Sequence, residues 1–192
     1  TSTIVPSPTP QPTATRIRML PTATPMPNFN DAWQDVRESV VKIETLDGGF
    51  GTGWFYEDNW IITAQHVVGT DVEVTIVYGE EQLDGRTDTK TITGSVAGTD
   101  RLRDIAAIYV ELDRPPLRGR TIHTEEDTAV PVMSVGYSSN PPVGSPNVRV
   151  GVITLAGRIT MRNDGQEITL LEIDAPFDPG DSGGPIIDLD GF

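Results

Sequence analysis

From residue 40 onward the apolar residues come in short runs, most of them followed by Gly, Asp or Asn. The runs read VVKIETL, GTGWFYE, NWIITA, VEVTIVY, KTITGSVAG, IAAIYVEL, PVMSVGY, VRVGVITLAG, EITLLEI and GPIIDLDG. β-Branched and aromatic side chains suit a pleated, half-buried surface, and the small polar residues between them suit turns. Ten such candidates in 192 residues predict an all-β sandwich or barrel. Sustained helical periodicity is absent, which argues against a doubly wound α/β fold. One short helix is expected near the start of this region, capped by Asn30 or Asp31, with Trp33, Val36 and Val40 at helical spacing. No internal repeat is visible.

Residues 1–28 differ sharply. Half of them are Pro or Thr. Proline fixes φ and removes a backbone donor, so an extended, polyproline-like linker is expected there. It reads either as a spacer that holds a domain away from a membrane or cell wall, or as a tail with no task. The spacer reading carries the expectation of a membrane tether upstream of Thr1. No apolar run approaches the ~18 residues needed to span a bilayer.

The linker holds Arg16 and Arg18 and no acid, which leaves 12 basic and 28 acidic residues in 29–192. Such a surface repels phosphate backbones, so nucleic-acid binding through a basic patch is excluded as a working reading. The absence of cysteine rules out disulfides, a thiolate nucleophile and Cys-based zinc sites. With only two histidines, His66 and His123, a multi-histidine metal centre is not expected.

Three segments carry chemistry. In Gly180-Asp181-Ser182-Gly183-Gly184-Pro185 the glycines let the backbone turn sharply, leave the hydroxyl uncovered and allow successive N–H groups to point into one pocket. That is what a serine nucleophile and its oxyanion need, the donors here being the N–H groups of Gly180 and Ser182. In Thr63-Ala64-Gln65-His66-Val67-Val68 a histidine follows the apolar run Trp60-Ile61-Ile62 at once, so it sits at the end of a rigid element, as a general base must. His123 lies in a polar stretch and reads as a surface residue. Asp104 stands at the mouth of the run Ile105–Val110, where a buried carboxylate can accept Nδ1–H of a histidine. Asp100 is a rival, but its Gly-Thr-Asp-Arg context is that of a turn.

Taken together, Thr-Ala-Gln-His, Asp-Ile-Ala and Gly-Asp-Ser-Gly-Gly-Pro, in that order, resemble the trypsin-like serine proteases, and more narrowly the HtrA-like (Deg) bacterial branch. Ser39-Val40-Val41-Lys42-Ile43, Gly51-Thr52-Gly53-Trp54-Phe55 and Asp174-Ala175-Pro176-Phe177-Asp178-Pro179 extend the resemblance over about residues 30–192. It implies two antiparallel β-barrels in a domain spanning 29–192, barrel one over about 39–112 and barrel two from about 121 to 192. It implies a serine endopeptidase acting on protein or peptide substrates through an acyl-enzyme, with Ser182 as nucleophile, His66 as base and Asp104 orienting it. No cofactor is implied, and an extracytoplasmic location is.

The resemblance is not complete. No Ile-Val-Gly-Gly-type segment is present to pair with Asp181 after cleavage, so Asp181 either has another partner or only exposes its backbone N–H. HtrA-like proteins often carry Asn at that position. Only seven residues follow Pro185, and barrel two is expected to lack its C-terminal strands. A sensor or binding module with weak or no proteolysis, or an inactive fragment of a longer protease, is the competing reading.

Overall fold

The computed structural model describes residues 28–81, 87–112, 128–138, 146–161, 165 and 167–189. The expected linker, apart from Asn28, and His123 lie outside them.

Helix α1 (Asn30–Val36) comes first, followed by strands β1 (Val40–Glu44), β2 (Phe50–Glu57) and β3 (Trp60–Thr63). A one-turn helix α2 (Gln65–Val68) precedes β4 (Glu73–Glu81), β5 (Thr87–Asp100) and β6 (Ile105–Val110). The remaining strands are β7 (Pro131–Gly136), β8 (Asn147–Met161), β9 (Glu167–Ile173) and β10 (Ile186–Ile187). Each of the ten runs read from the sequence overlaps one of these strands, and every pairing among the described residues is antiparallel.

Strands β1 to β6 close into a barrel in the order β1-β2-β3-β6-β5-β4, with β4 pairing back on β1. Alternation fills its interior. Val41, Ile43, Phe55, Ile61, Ile76 and Ile108 point inward and are essentially inaccessible to water. Gly53 and Gly94 fall where a Cβ would strike Ile43, Ile61, Ile76 and Ile108, so they make room for those large side chains. The second unit, among the described residues, is a four-stranded sheet in the order β10-β7-β8-β9.

The two units meet on the outer face of β1. Val40 is paired with Trp54 and turns away from the barrel interior into a second cluster with Phe29, Ala32, Val36, Met133, Val135, Tyr137 and Ile187. Helix α1 therefore serves as part of the seam between units. Two details of the expected helix are corrected. Its N-cap is Phe29, whose side chain is buried in that seam, and the Asn28 carboxamide takes up the Asn30 N–H at 3.1 Å; neither Asn30 nor Asp31 caps it. Val40 is not on the helix at all, because the tandem β-branched pair Val40-Val41 enters the barrel ladder directly.

Candidate active site

The site lies between the units, and each side chain is held by a local device. After β3 the chain turns at the extended residue Ala64 into α2. Val68 is buried in the barrel core. Gln65 is buried too, and its Nε2 donates to the Gly69 carbonyl at 2.8 Å. Gly69, at φ +57°, ends the turn and donates its N–H to the Gln65 carbonyl. With Gln65 and Val68 anchored, His66 is left on the solvent side, 57% exposed. The short helix was not anticipated from sequence; its four residues are too few to show a periodicity.

Asp104 holds His66 at two points. Its Oδ1 accepts the His66 backbone N–H at 2.9 Å and its Oδ2 stands 2.6 Å from Nδ1. The Asp104 carbonyl also accepts the Gln65 N–H at 3.1 Å. The residue takes φ +58°, in the left-handed region that Asp tolerates better than most side chains. An acceptor at Nδ1 assigns the ring proton to that nitrogen and leaves the Nε2 lone pair available. The expectation of a buried carboxylate is corrected: Asp104 is 39% exposed, because it belongs to the turn before β6 rather than to the strand. Asp100 is occupied elsewhere. It accepts the N–H groups of Leu102 and Arg103 and pairs with the Arg103 guanidinium at 2.7 Å, which holds its carboxyl below the usual carboxylate range.

Ser182 is half-buried in the tight segment Asp178–Gly184. The Asp181 N–H donates to the Asp178 carbonyl at 3.1 Å, and the Gly184 N–H to the Asp181 carbonyl at 3.0 Å. Gly180 and Gly183 have φ of +101° and +83°. A Cβ on Gly183 would lie 2.2 Å from Thr63 Oγ1 and 2.3 Å from the Thr52 carbonyl, so glycine is required there for space as well as for conformation. Neither the Gly180 nor the Ser182 N–H donates to another described residue.

Two residues not singled out from the sequence fasten this segment. Thr52, on β2 and fully buried, gives its N–H to the Ser182 carbonyl at 2.8 Å and its hydroxyl to the Gly180 carbonyl at 2.7 Å. The same hydroxyl accepts the Tyr137 N–H at 2.8 Å, and the Thr52 carbonyl accepts the Thr63 hydroxyl at 2.6 Å. One threonine thus joins barrel, second sheet and serine segment. The Gly-Thr-Gly triplet was the available signal, though it does not reveal contacts 128 residues away. The other residue is Arg149 on β8, whose Nη1 pairs with the buried Asp181 and whose Nη2 pairs with Asp178 at 2.5 Å. Asp181 therefore has a partner within the chain.

His66 and Ser182 line one cleft of about 380 Å³ together with Phe50, Val67 and Val68. Asp47 and Asp71 line it as well. The Thr45 hydroxyl and the Gly49 N–H hold the Asp47 carboxyl below its ordinary range. The Asp71 carboxylate accepts the Leu46 N–H at 3.1 Å. The arrangement has the parts of hydroxyl chemistry: an imidazole oriented by a carboxylate, a serine on the same cleft, and unspent backbone donors beside that serine.

A closed antiparallel barrel facing a second antiparallel sheet, with His-Asp from one and a serine segment from the other, defines the class as chymotrypsin-type. The chain belongs to the trypsin-like peptidase domain family, whose model matches residues 51–192. It is 28% identical over 177 residues to "Serine protease HtrA-like" of Staphylococcus epidermidis, an alignment covering 84% of this chain and 28% of that protein. It is 27% identical over 164 residues to the "Probable periplasmic serine endoprotease DegP-like" of Hahella chejuensis, covering 85% of this chain and 31% of the relative. The chain thus spans less than a third of the length of these two proteins. Among solved structures, "Crystal structure of Rv3671c protease, inactive form" superposes with a TM-score of 0.70 at 26% identity, covering 90% of this chain and 84% of that one.

Proposed function

We propose that this domain is a serine endopeptidase that cleaves protein or peptide substrates through an acyl-enzyme. The observation that carries the reading is the two-point hold of Asp104 on His66, with Ser182 on the same cleft. His66 Nε2 takes the Ser182 proton as Oγ attacks the scissile carbonyl, and Asp104 stabilises the imidazolium that forms. The Gly180 and Ser182 amides receive the oxyanion. His66 then gives the proton to the leaving amine, and water repeats the sequence to release the acyl group. The relatives named for serine proteolysis support the same reading.

The domain works outside the cytoplasm, with residues 1–28 as its spacer. Support comes from the periplasmic relative's name and from the Pro/Thr composition of that segment. Among the described residues, no helix is long and apolar enough to cross a membrane.

A fluorophosphonate probe tests the activity. The chain should acquire one adduct at Ser182, and Ser182→Ala should abolish it with the thermal midpoint nearly unchanged. A folded chain that takes no label would favour the sensor or binding-module reading instead.

A further inference from the structure

The segment that carries the proposed oxyanion donors is a tight turn with a guanidinium lodged against it. Asp178-Pro179-Gly180-Asp181 closes through the Asp181 N–H to the Asp178 carbonyl at 3.1 Å. Proline at the second position and a positive-φ glycine at the third (+101°) are the pattern of a type II turn. In the type I alternative the peptide between those two residues is rotated by about half a turn. The Gly180 N–H belongs to that peptide, so the two turns aim it in opposite directions. Both ends of the turn carry an aspartate, and Arg149 holds both. Its Nη1 binds Asp181 Oδ2, which also accepts the Asp178 N–H at 2.9 Å, and its Nη2 binds Asp178 Oδ2 at 2.5 Å. Nη2 also reaches the Ser138 hydroxyl at 3.5 Å, and that hydroxyl accepts the Asn147 amide at 2.5 Å, so the guanidinium is fixed to the β7-β8 hairpin as well. The Asp181 side chain is 4% exposed and that of Arg149 20%. A buried carboxylate needs such a counter-charge, and a planar fork with two donors is suited to bridging two carboxylates.

We infer that Arg149 is the positioning residue that sets the Gly180 and Ser182 amides for the oxyanion, so that the site is preset by a side chain of β8 and needs no freed N-terminus to form. The inference rests on the proposed peptidase reading for its consequence, though the clamp can be tested apart from it. Arg149 touches no reacting atom. It acts through Asp178 and Asp181.

The test uses the 192-residue chain and Arg149→Met, Arg149→Lys and Asp178→Ala variants, with two readouts. The first is the rate of fluorophosphonate labelling of Ser182, together with kcat and KM on a peptide substrate. Arg149→Met should slow labelling and lower kcat by about 10- to 100-fold, less than the roughly 10²- to 10³-fold of losing an oxyanion donor outright, while KM stays within a few-fold. Arg149→Lys, which keeps the charge but not the fork, should restore part of the loss. The second is hydrogen exchange of the Asp178–Gly184 amides, which Arg149→Met should accelerate while the barrel strands keep the parent's protection. Parent-like labelling and exchange in Arg149→Met would overturn the inference, as would a loss that Arg149→Lys does not reverse at all. If the parent chain itself takes no label, the peptidase reading fails and exchange alone decides the clamp. If Arg149→Met does not fold, Asp178→Ala, which removes one prong at a side chain 59% exposed, should show the same losses in smaller measure; parent-like behaviour there would overturn the two-pronged clamp.

Discussion

The two halves of this molecule use the same kind of strand to different ends. In the barrel each strand is paired on both sides, and Ile43, Phe55, Ile61, Ile76 and Ile108 are fully enclosed. In the second sheet, among the described residues, β9 and β10 are each paired on one side, and Val150, Leu155, Leu170 and Leu171 are exposed. The closed half holds His66 and Asp104, and the open half brings Ser182. The proposed base and its orienting carboxylate thus sit on the part whose strands are paired on both sides. The proposed nucleophile, Ser182, sits on the more open part, and Thr52 and Arg149 fasten its segment.

The sharpest way to probe this division is at the His66-Asp104 pair. Asp104→Asn should cost about 10⁴-fold in kcat by favouring the wrong imidazole tautomer, with little change in the thermal midpoint, measured by steady-state kinetics and calorimetry. Next comes stability. Ile61→Ala should destabilise by about 2–5 kcal/mol through the cavity it leaves, whereas Val150→Ser, on the exposed face, should stay within about 0.5 kcal/mol; urea unfolding of both would compare the halves directly. Equal losses would break the contrast. Thr52→Val strips the hydroxyl from the junction and leaves the Tyr137 N–H and the Gly180 carbonyl without it. It should cost about 1–3 kcal/mol for each buried group left unpaired and slow Ser182 labelling while the His66-Asp104 contact persists.

The last effect is a pH dependence at the seam. Burial pushes the Tyr137 hydroxyl up from 10.0 to about 12. Between those values the unfolded chain has lost this proton and the folded chain has kept it, so stability falls as pH rises. The stabilising contribution is intact below pH 10 and is lost by about pH 12, to the extent of about 2–3 kcal/mol. Tyr137→Phe should flatten that part of a stability–pH curve.

What could be read from the sequence follows the range of the forces involved. The strands announce themselves because β-branched runs and turn residues act locally. The His-Asp-Ser order was legible because each residue carries a short motif around it. In the structure His66 and Ser182 line one cleft, and Asp104 holds His66. What was missed depends on partners distant in sequence. Thr52 looks like an ordinary strand residue until Gly180 arrives from the far end of the chain, and Arg149 looks like a solvated cation until Asp178 and Asp181 fold over it. The misplaced cap has the same origin: burial of Phe29 in the seam, a tertiary event, decided where α1 begins.

Asp104 binds the amide and the ring of the same residue, one with each oxygen. A carboxylate anchored only to the imidazole would be left behind by any shift of α2. Here backbone and ring are tethered to one acceptor, so any displacement of the helix would carry histidine and carboxylate together. The same ring nitrogen would go on facing the carboxylate even as the distance from imidazole to serine changed.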